Sequence, residues 1–133
     1  MNKTIKQSAL ALVCLTLIST TGFAFAAPED YEFQLVAPEA KQGGGTLVSV
    51  KLIDKRTGKP VENAVIFTSQ MDMQPEGMEG MTTQIEAMPT SEPGIYAFKT
   101  NLTMADGWRL SLAAKVQGEE GTIEGQLLVK AVP

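Results

Sequence analysis

Trp108-Arg109-Leu110-Ser111-Leu112-Ala113-Ala114-Lys115-Val116 alternates between two kinds of residue. Trp108, Leu110, Leu112, Ala114 and Val116 fall on one side of an extended chain, and Arg109, Ser111 and Lys115 fall on the other. Successive side chains of a strand point to opposite faces, so this stretch reads as a strand with one buried face and one wet face. Gly118-Glu119-Glu120-Gly121 then reads as a turn. After it Ile123, Leu127 and Val129 alternate with Thr122, Glu124 and Gln126 in a second strand of the same kind.

Five more segments upstream carry the same signal, each bounded by turn residues. They cover 31–36, 46–54, 64–70, 81–87 and 95–101. In the second, Val48, Val50 and Leu52 share a face; in the third, Val65 and Phe67; in the fifth, Tyr96 and Phe98. Between them lie Arg56-Thr57-Gly58-Lys59-Pro60, a loop with Pro75, Gly77 and Gly80, and Glu92-Pro93-Gly94. Gly58 can take positive φ there, and Pro60 blocks strand continuation. Seven short strands in about 100 residues predict an all-β chain, an immunoglobulin-like antiparallel β-sandwich. The shared faces place Trp108 in the core with Phe67, Tyr96, Phe98 and Leu110. Glycine, proline and β-branched residues spread along the chain weaken any helical reading.

The first residues follow different rules. Lys3 and Lys6 stand without an acid before an apolar run over 9–18. That run is too short to cross a bilayer as a helix, which needs roughly 20 residues. Ser19, Thr20, Thr21 and Gly22 interrupt it, and Ala24-Phe25-Ala26 supplies small residues where a signal peptidase reads them. This is the layout of a cleaved signal peptide over residues 1–26. A lipoprotein reading through Cys14 is rejected, because Val13 is too bulky and the apolar run would be halved. The remainder divides into an N-terminal strand and a glycine-rich linker over 27–44, with Gly43-Gly44-Gly45 read as flexible, and a main sandwich body over 45–133. The expected location is the bacterial periplasm.

Cleavage after Ala26 removes Cys14, the chain's one cysteine. The mature chain then has no disulfide, thiolate ligand or cysteine nucleophile, and its fold rests on its core alone. The whole chain has a formal charge of −4, and losing Lys3 and Lys6 takes the mature part to −6. An acidic domain without a basic patch argues against nucleic acid and anionic membrane surfaces as partners. No second apolar run is long enough to span a membrane. The chain has no histidine, which removes the usual general base and the commonest metal ligand. Together with the missing cysteine this excludes Ser-His-Asp and Cys-His catalysis, and the chain reads as non-enzymatic. Asp72, Glu76, Glu79, Glu86 and Asp106 read as solvated surface charge.

The unusual feature is methionine. Of Met71, Met73, Met78, Met81, Met88 and Met104, five fall within 71–88, among Asp72, Gln74, Pro75, Glu76, Gly77, Glu79 and Gly80. That is the composition of an exposed loop. Thioether sulfur is a soft neutral ligand that favours Cu(I) over magnesium, calcium or zinc, and Ag(I) is the other plausible ion. Met71 and Met73, two residues apart on an extended chain, project about 7 Å apart from one face and can meet a third sulfur from Met78 or Met81. The expected metal ligands are therefore Met71, Met73, Met78 and Met81, with Met88 and Met104 in reserve. The competing reading takes the same methionines as an apolar cap or as a docking surface for a partner protein.

Several of these pieces occur together in one known order. Asp54-Lys55-Arg56-Thr57-Gly58-Lys59-Pro60-Val61-Glu62-Asn63-Ala64 precedes a methionine-rich loop. Glu92-Pro93-Gly94-Ile95-Tyr96 and Met104-Ala105-Asp106-Gly107-Trp108-Arg109-Leu110 follow it. This order resembles the FixH/YtkA-like domains: a strand ending in a D…G-K-P-V…A turn, a methionine-containing loop, E-P-G-x-Y and M-A-G-x-W. The resemblance covers about positions 45 to 116. It implies an immunoglobulin-like accessory protein of the bacterial envelope, associated with copper handling, heavy-metal efflux or the assembly of copper-containing oxidases. Its implied partner is an envelope complex of one of those kinds. Family loops often also carry histidine; its absence here leaves a thioether site. Asp106, inserted between Ala105 and Gly107, is a further departure.

The exported protein is expected to begin at Ala27. Intact-mass measurement of the secreted form tests this, and a mature protein that still contains Cys14 contradicts it.

Overall fold

The computed structural model describes residues 28–133; the expected signal segment lies outside them. After a short 3-10 turn, Pro28–Asp30, come ten strands: β1 Tyr31–Leu35, β2 Glu39–Lys41, β3 Gly43–Asp54, β4 Lys59–Pro60, β5 Ala64–Met73, β6 Met78–Thr83, β7 Ile85–Met88, β8 Ile95–Leu102, β9 Asp106–Val116 and β10 Ile123–Val132. A second 3-10 turn, Gln74–Glu76, joins β5 to β6. The strands form two sheets. One runs β1-β3-β8-β7, with β4 added to β3; the other runs β2-β10-β9-β5-β6. The ladders are antiparallel except that between β2 and β10, which is parallel. Two such sheets face to face make an immunoglobulin-like β-sandwich.

Most of the core consists of residues that the alternation selected, although Tyr96, expected within it, is only partly buried against it. Trp108, Leu110, Leu112, Ala114 and Val116 of β9 are all buried, as are Val48, Val50 and Leu52 of β3, Phe98 of β8, and Ile123 and Val129 of β10. Trp108 is fully enclosed, and its indole N–H donates to the Met104 carbonyl at 3.0 Å. The one polar atom of that ring is thus satisfied, as a buried donor requires. Gly125 on β10 lets the sheets approach: a Cβ built there would stand 2.6 Å from Cδ2 of Phe33.

Two of the sequence signals explain each other in space. Gly94, at φ 81°, lies against Pro60, so that a Cβ there would meet the proline ring at 2.7 Å. Two residues on, the Tyr96 hydroxyl donates to the Val61 carbonyl at 2.8 Å and accepts the Ala64 N–H at 3.0 Å. The Glu92-Pro93-Gly94 turn and the Gly58-Lys59-Pro60 turn, which flank strands of one sheet, therefore lock together, and the Ala64 bond ties them to β5 of the other sheet. Burial pushes the Tyr96 phenol above its ordinary pKa, so the hydroxyl keeps its proton and remains a donor.

The structure departs from the sequence expectation in four places. Gly43, Gly44 and Gly45 are not a linker but the first residues of β3, where its register with β8 shifts. The segment expected as one strand over 81–87 is two, because the chain leaves β5 after Thr83 and joins β8 at Ile85. Thr83 donates to the Asn101 carbonyl and buried Thr100 donates to the Gln84 carbonyl, each at 2.7 Å, so this crossing is pinned on both sides. Phe67 is not in the core beside Trp108: it is 53 % exposed, and Val65 is exposed on the same face. The cause is a bulge in β5. Ile66 pairs with Ala114, but Thr68 pairs with Ala113, leaving Phe67 as the extra residue. A bulge advances the alternation by one. Inward positions are even-numbered before it, at Ala64 and Ile66, and odd-numbered after it, at Ser69, Met71 and Met73. The fourth departure follows from the third: β5 continues past Gln70 to Met73.

Replacing Trp108 with alanine is expected to cost about 3–5 kcal/mol of stability, the range for truncating a large buried aromatic. Denaturant unfolding measures it, and a loss below about 1 kcal/mol is inconsistent with this core.

Candidate functional site

The phase change at Phe67 decides where the methionines go. Met71 and Met73 are at 0 % and 1 % exposure, packed in the core with Trp108 and Leu110. They are therefore not loop residues, as their polar neighbours suggested. Met78, on β6, stands directly opposite Met73 in the ladder. Directly paired residues of antiparallel strands share a face, with Cβ atoms roughly 4.5–5.5 Å apart. Met78 thus extends the buried pair outward, and it is partly exposed at 37 %. Met81 is exposed as well and stands two residues before Thr83, whose partner across the ladder is Met71. The β5–β6 hairpin therefore gathers Met71, Met73 and Met78 on one face and carries Met81 beside them. Met88 lies on β7 in the other sheet, paired with Ala97. Met104 is exposed in the turn before β9.

The hairpin is built around one carboxylate. Asp72 lies between the two core methionines and faces the other way, yet it is only 3 % exposed. Its Oδ1 accepts the Gln74 N–H at 2.9 Å, which shapes the 3-10 turn. Both its oxygens accept from Arg109 on β9, at 2.9 to 3.2 Å. Glu79 adds a looser contact to the same guanidinium at 3.7 Å. Beyond the turn, Glu76 Oε1 accepts the Gly107 N–H at 2.9 Å, and a side chain at Gly107 would collide with that carboxylate. Gly77 closes the turn at φ 73°. Asp106 before Gly107 takes φ 88°, a left-handed conformation in which aspartate is among the more tolerant residues. The acids expected as plain surface charge thus include two that position this hairpin, Asp72 and Glu76. The signal for Asp72 was its place between two inward methionines, opposite the outward Arg109.

No group of three or more His, Cys, Asp or Glu residues able to hold a metal occurs among the described residues. The soft donors present are the thioethers. A second polar cluster lies at another part of the molecule. Tyr31 donates to Glu119 Oε1 at 3.1 Å, and Arg56 lies over the Tyr31 ring, donates to its hydroxyl and pairs with Asp54 at 3.0 Å. Burial, then Glu119, raises the Tyr31 phenol, and the Arg56 hydrogen bond lowers the Asp54 carboxyl. A lowered carboxyl contributes stability above its unfolded pKa and loses it as the pH falls through the folded one; at Asp54, whose partner Arg56 is largely solvated, this is a minor effect. The cluster ties β1 to the β3–β4 and β9–β10 turns.

Asp72→Ala removes the hub of the hairpin and leaves Arg109 without its main partner. The expected cost is about 1–3 kcal/mol, as for a buried hydrogen-bonded charge whose partner is partly solvated. Urea unfolding measures it, and a change under about 0.5 kcal/mol means that the hairpin does not depend on Asp72.

Comparison with curated protein sequences finds no match. Among solved structures, the Lin-41 filamin domain is similar over 82 % of this chain and 100 % of its own, at 16 % identity and a TM-score of 0.45. The ZirS C-terminal domain is similar over 85 % of this chain and 75 % of its own, at 15 % identity and a TM-score of 0.42. Among the described residues no helix is long and apolar enough to cross a membrane. The model of the YtkA-like family matches residues 25–113, a span that takes in the interlocked turns, the methionine hairpin and most of β9, and the chain belongs to that family.

Proposed function

We propose that this chain is a non-catalytic accessory protein of the bacterial periplasm that binds Cu(I), or Ag(I), through its β5–β6 hairpin, in copper handling or heavy-metal efflux. The observation that supports this is the ladder register, which sets Met78 opposite Met73, two residues after Met71 on β5. A soft cation arriving from solvent meets the exposed thioethers of Met78 and Met81 first, and the buried sulfur of Met73 lies next in line. Neutral sulfur donors need no deprotonation, so affinity should change little between about pH 5 and 7.5, unlike that of a thiolate or imidazole site. Zinc, which prefers nitrogen, thiolate and carboxylate donors, is excluded by the same donor set.

A second reading is favoured by the exposure of β6 along its length at the edge of its sheet. There the rim methionines dock on an envelope complex as an adaptable apolar surface. The two readings separate experimentally. Leucine at Met78 and Met81 keeps bulk while removing sulfur. In a competition titration against a Cu(I) chelator under reducing conditions, this double variant is expected to bind at least about tenfold more weakly. Leucine at Met71 and Met73 is a volume-conserving core swap that costs under about 1.5 kcal/mol each, and it tests the inner donors separately. If wild type and both variants compete equally, the metal reading fails and the rim is a docking surface.

A further inference from the structure

The crossing at Gln84 leaves a gap in the side of the sandwich. β6 pairs with β5 only at Met71, Asp72 and Met73. Over residues 65–70, β5 therefore has β9 on one edge and no ladder partner on the other among the described residues. β7 ends the other sheet, pairing with β8 alone. These two unpaired edges, one from each sheet, face each other along a seam. The seam is closed at one end by the Tyr96 hydroxyl bridging Val61 and Ala64. At the other it is closed by the crossing, where Thr83 and Thr100 hold their carbonyl partners. Both closures are hydrogen-bonded, so the seam has fixed ends.

Two depressions lie along it. The one near the crossing has a volume of about 640 Å³, and its walls include Ser69, Gln70, Thr82, Gln84, Glu86 and Lys99. The one near Tyr96 has about 180 Å³ and is apolar, with Ile66, Ala87, Met88 and Phe98 in its walls. Thr83, Thr100 and Asn101, also at the larger depression, are engaged within the protein. The side chains of Ser69, Gln70, Thr82 and Gln84 are neutral donors and acceptors. Glu86 and Lys99 stand opposite each other in the β7–β8 ladder and offset each other's charge. The occupant that suits these walls is uncharged, polar at one end and apolar at the other. It also satisfies main-chain groups on an open strand edge.

We propose that the seam between β5 and β7 is a binding site for an extended, uncharged peptide segment of a partner protein, which adds to the free edge of β7 as a strand. Strand addition is a recurring mode of peptide recognition, in which main-chain hydrogen bonds give affinity and side-chain pockets give specificity. β7 offers four residues of ladder, and the facing edge of β5 spans six, about 20 Å of extended chain at roughly 3.3 Å per residue, so a segment of about six residues pairs with β7 and fills the seam. A glycan of that length fits less well, because no aromatic ring lines the polar depression where a sugar face would stack. This site is distinct from the methionine face and stands without it.

The test uses the mature protein and a blocked hexapeptide of alternating valine and threonine. Titration followed by amide chemical shifts is expected to give saturable changes at Ser69, Gln70 and 84–88, with none at Met78. The same peptide N-methylated at alternate residues, which removes its main-chain donors on one edge, is expected to bind at least about tenfold more weakly. Gln84→Trp, at an exposed position, should fill the polar depression and weaken binding to the same degree. If that variant misfolds, Q70A/Q84A replaces it. The methionine double variant should bind the peptide as wild type does, so failure here and failure of the copper reading are separate results. Equal binding of the N-methylated peptide, shifts confined to other surfaces, or saturable binding of maltohexaose instead of the peptide overturns the proposal.

Discussion

Everything in this sandwich hangs on packing two sheets face to face without a covalent tie. The described chain contains no cysteine, so no disulfide clamps the layers, and the inner faces must close by shape. Trp108 occupies the place where that closure is most demanding. It is fully buried, with Leu110, Leu112 and Val129 from its own sheet and Phe98, Val50 and Leu52 from the opposite one in the same core. Its N–H is satisfied by the Met104 carbonyl just upstream on the same chain, so no unpaired donor is buried with it. Gly125 removes a side chain where Phe33 presses in. Large rings on one layer meet small residues on the other, which is how interiors reach close packing without strain.

A single inserted residue decides which side chains of β5 enter this core. The Phe67 bulge leaves Val65 and Phe67 outside and carries Met71 and Met73 inside. Without the phase change, Gln70 and Asp72 would point into the core as unpaired polar groups, and burying them there would cost several kcal/mol. With it, Asp72 emerges on the outer face opposite Arg109 and can organise the turn that follows. The bulge thus links two features distant in kind: an exposed phenylalanine in mid-strand and a buried pair of thioethers four and six residues later.

The long alternations were legible because one face of each was apolar without exception. In β9 the residues from Trp108 to Val116 have a single consistent reading, and the structure buries the inward five. β5 was not legible in the same way. Its start, Ala64-Val65-Ile66-Phe67, is apolar at both parities, so period-two reasoning could not choose a face, and a bulge leaves no mark in such a run. The methionine segment misled for a related reason. Glycine, proline and acids around Met71 and Met73 describe the turn after them, while the methionines themselves belong to the strand before it. The order of the turns was legible as a family resemblance, but its physical content was not. That the Tyr96 hydroxyl and Gly94 grip the segment from Pro60 to Ala64 is a long-range contact, which local periodicity does not record.

The stretch from Met71 to Met88 serves both surfaces of interest because it changes sheets. As the end of β5 and all of β6 it belongs to one layer and presents thioethers; as β7 it belongs to the other and presents an open edge. The transfer occurs at Gln84, between Thr83, which bonds β8 from one side, and Thr100, which bonds the crossing from the other. A strand that stayed in one sheet would have covered the edge of β5 along its whole length and left no seam. It would also have kept Met88 in the same sheet as Met81, in place of separate sheets. Changing sheets therefore divides the methionines, gathering Met71, Met73 and Met78 on one face and leaving Met88 apart. The short pairing of β6 with β5 that results exposes the rim of the methionine face and frees the strand edge below it. One topological choice, held by two threonine hydroxyls, sets the geometry of both.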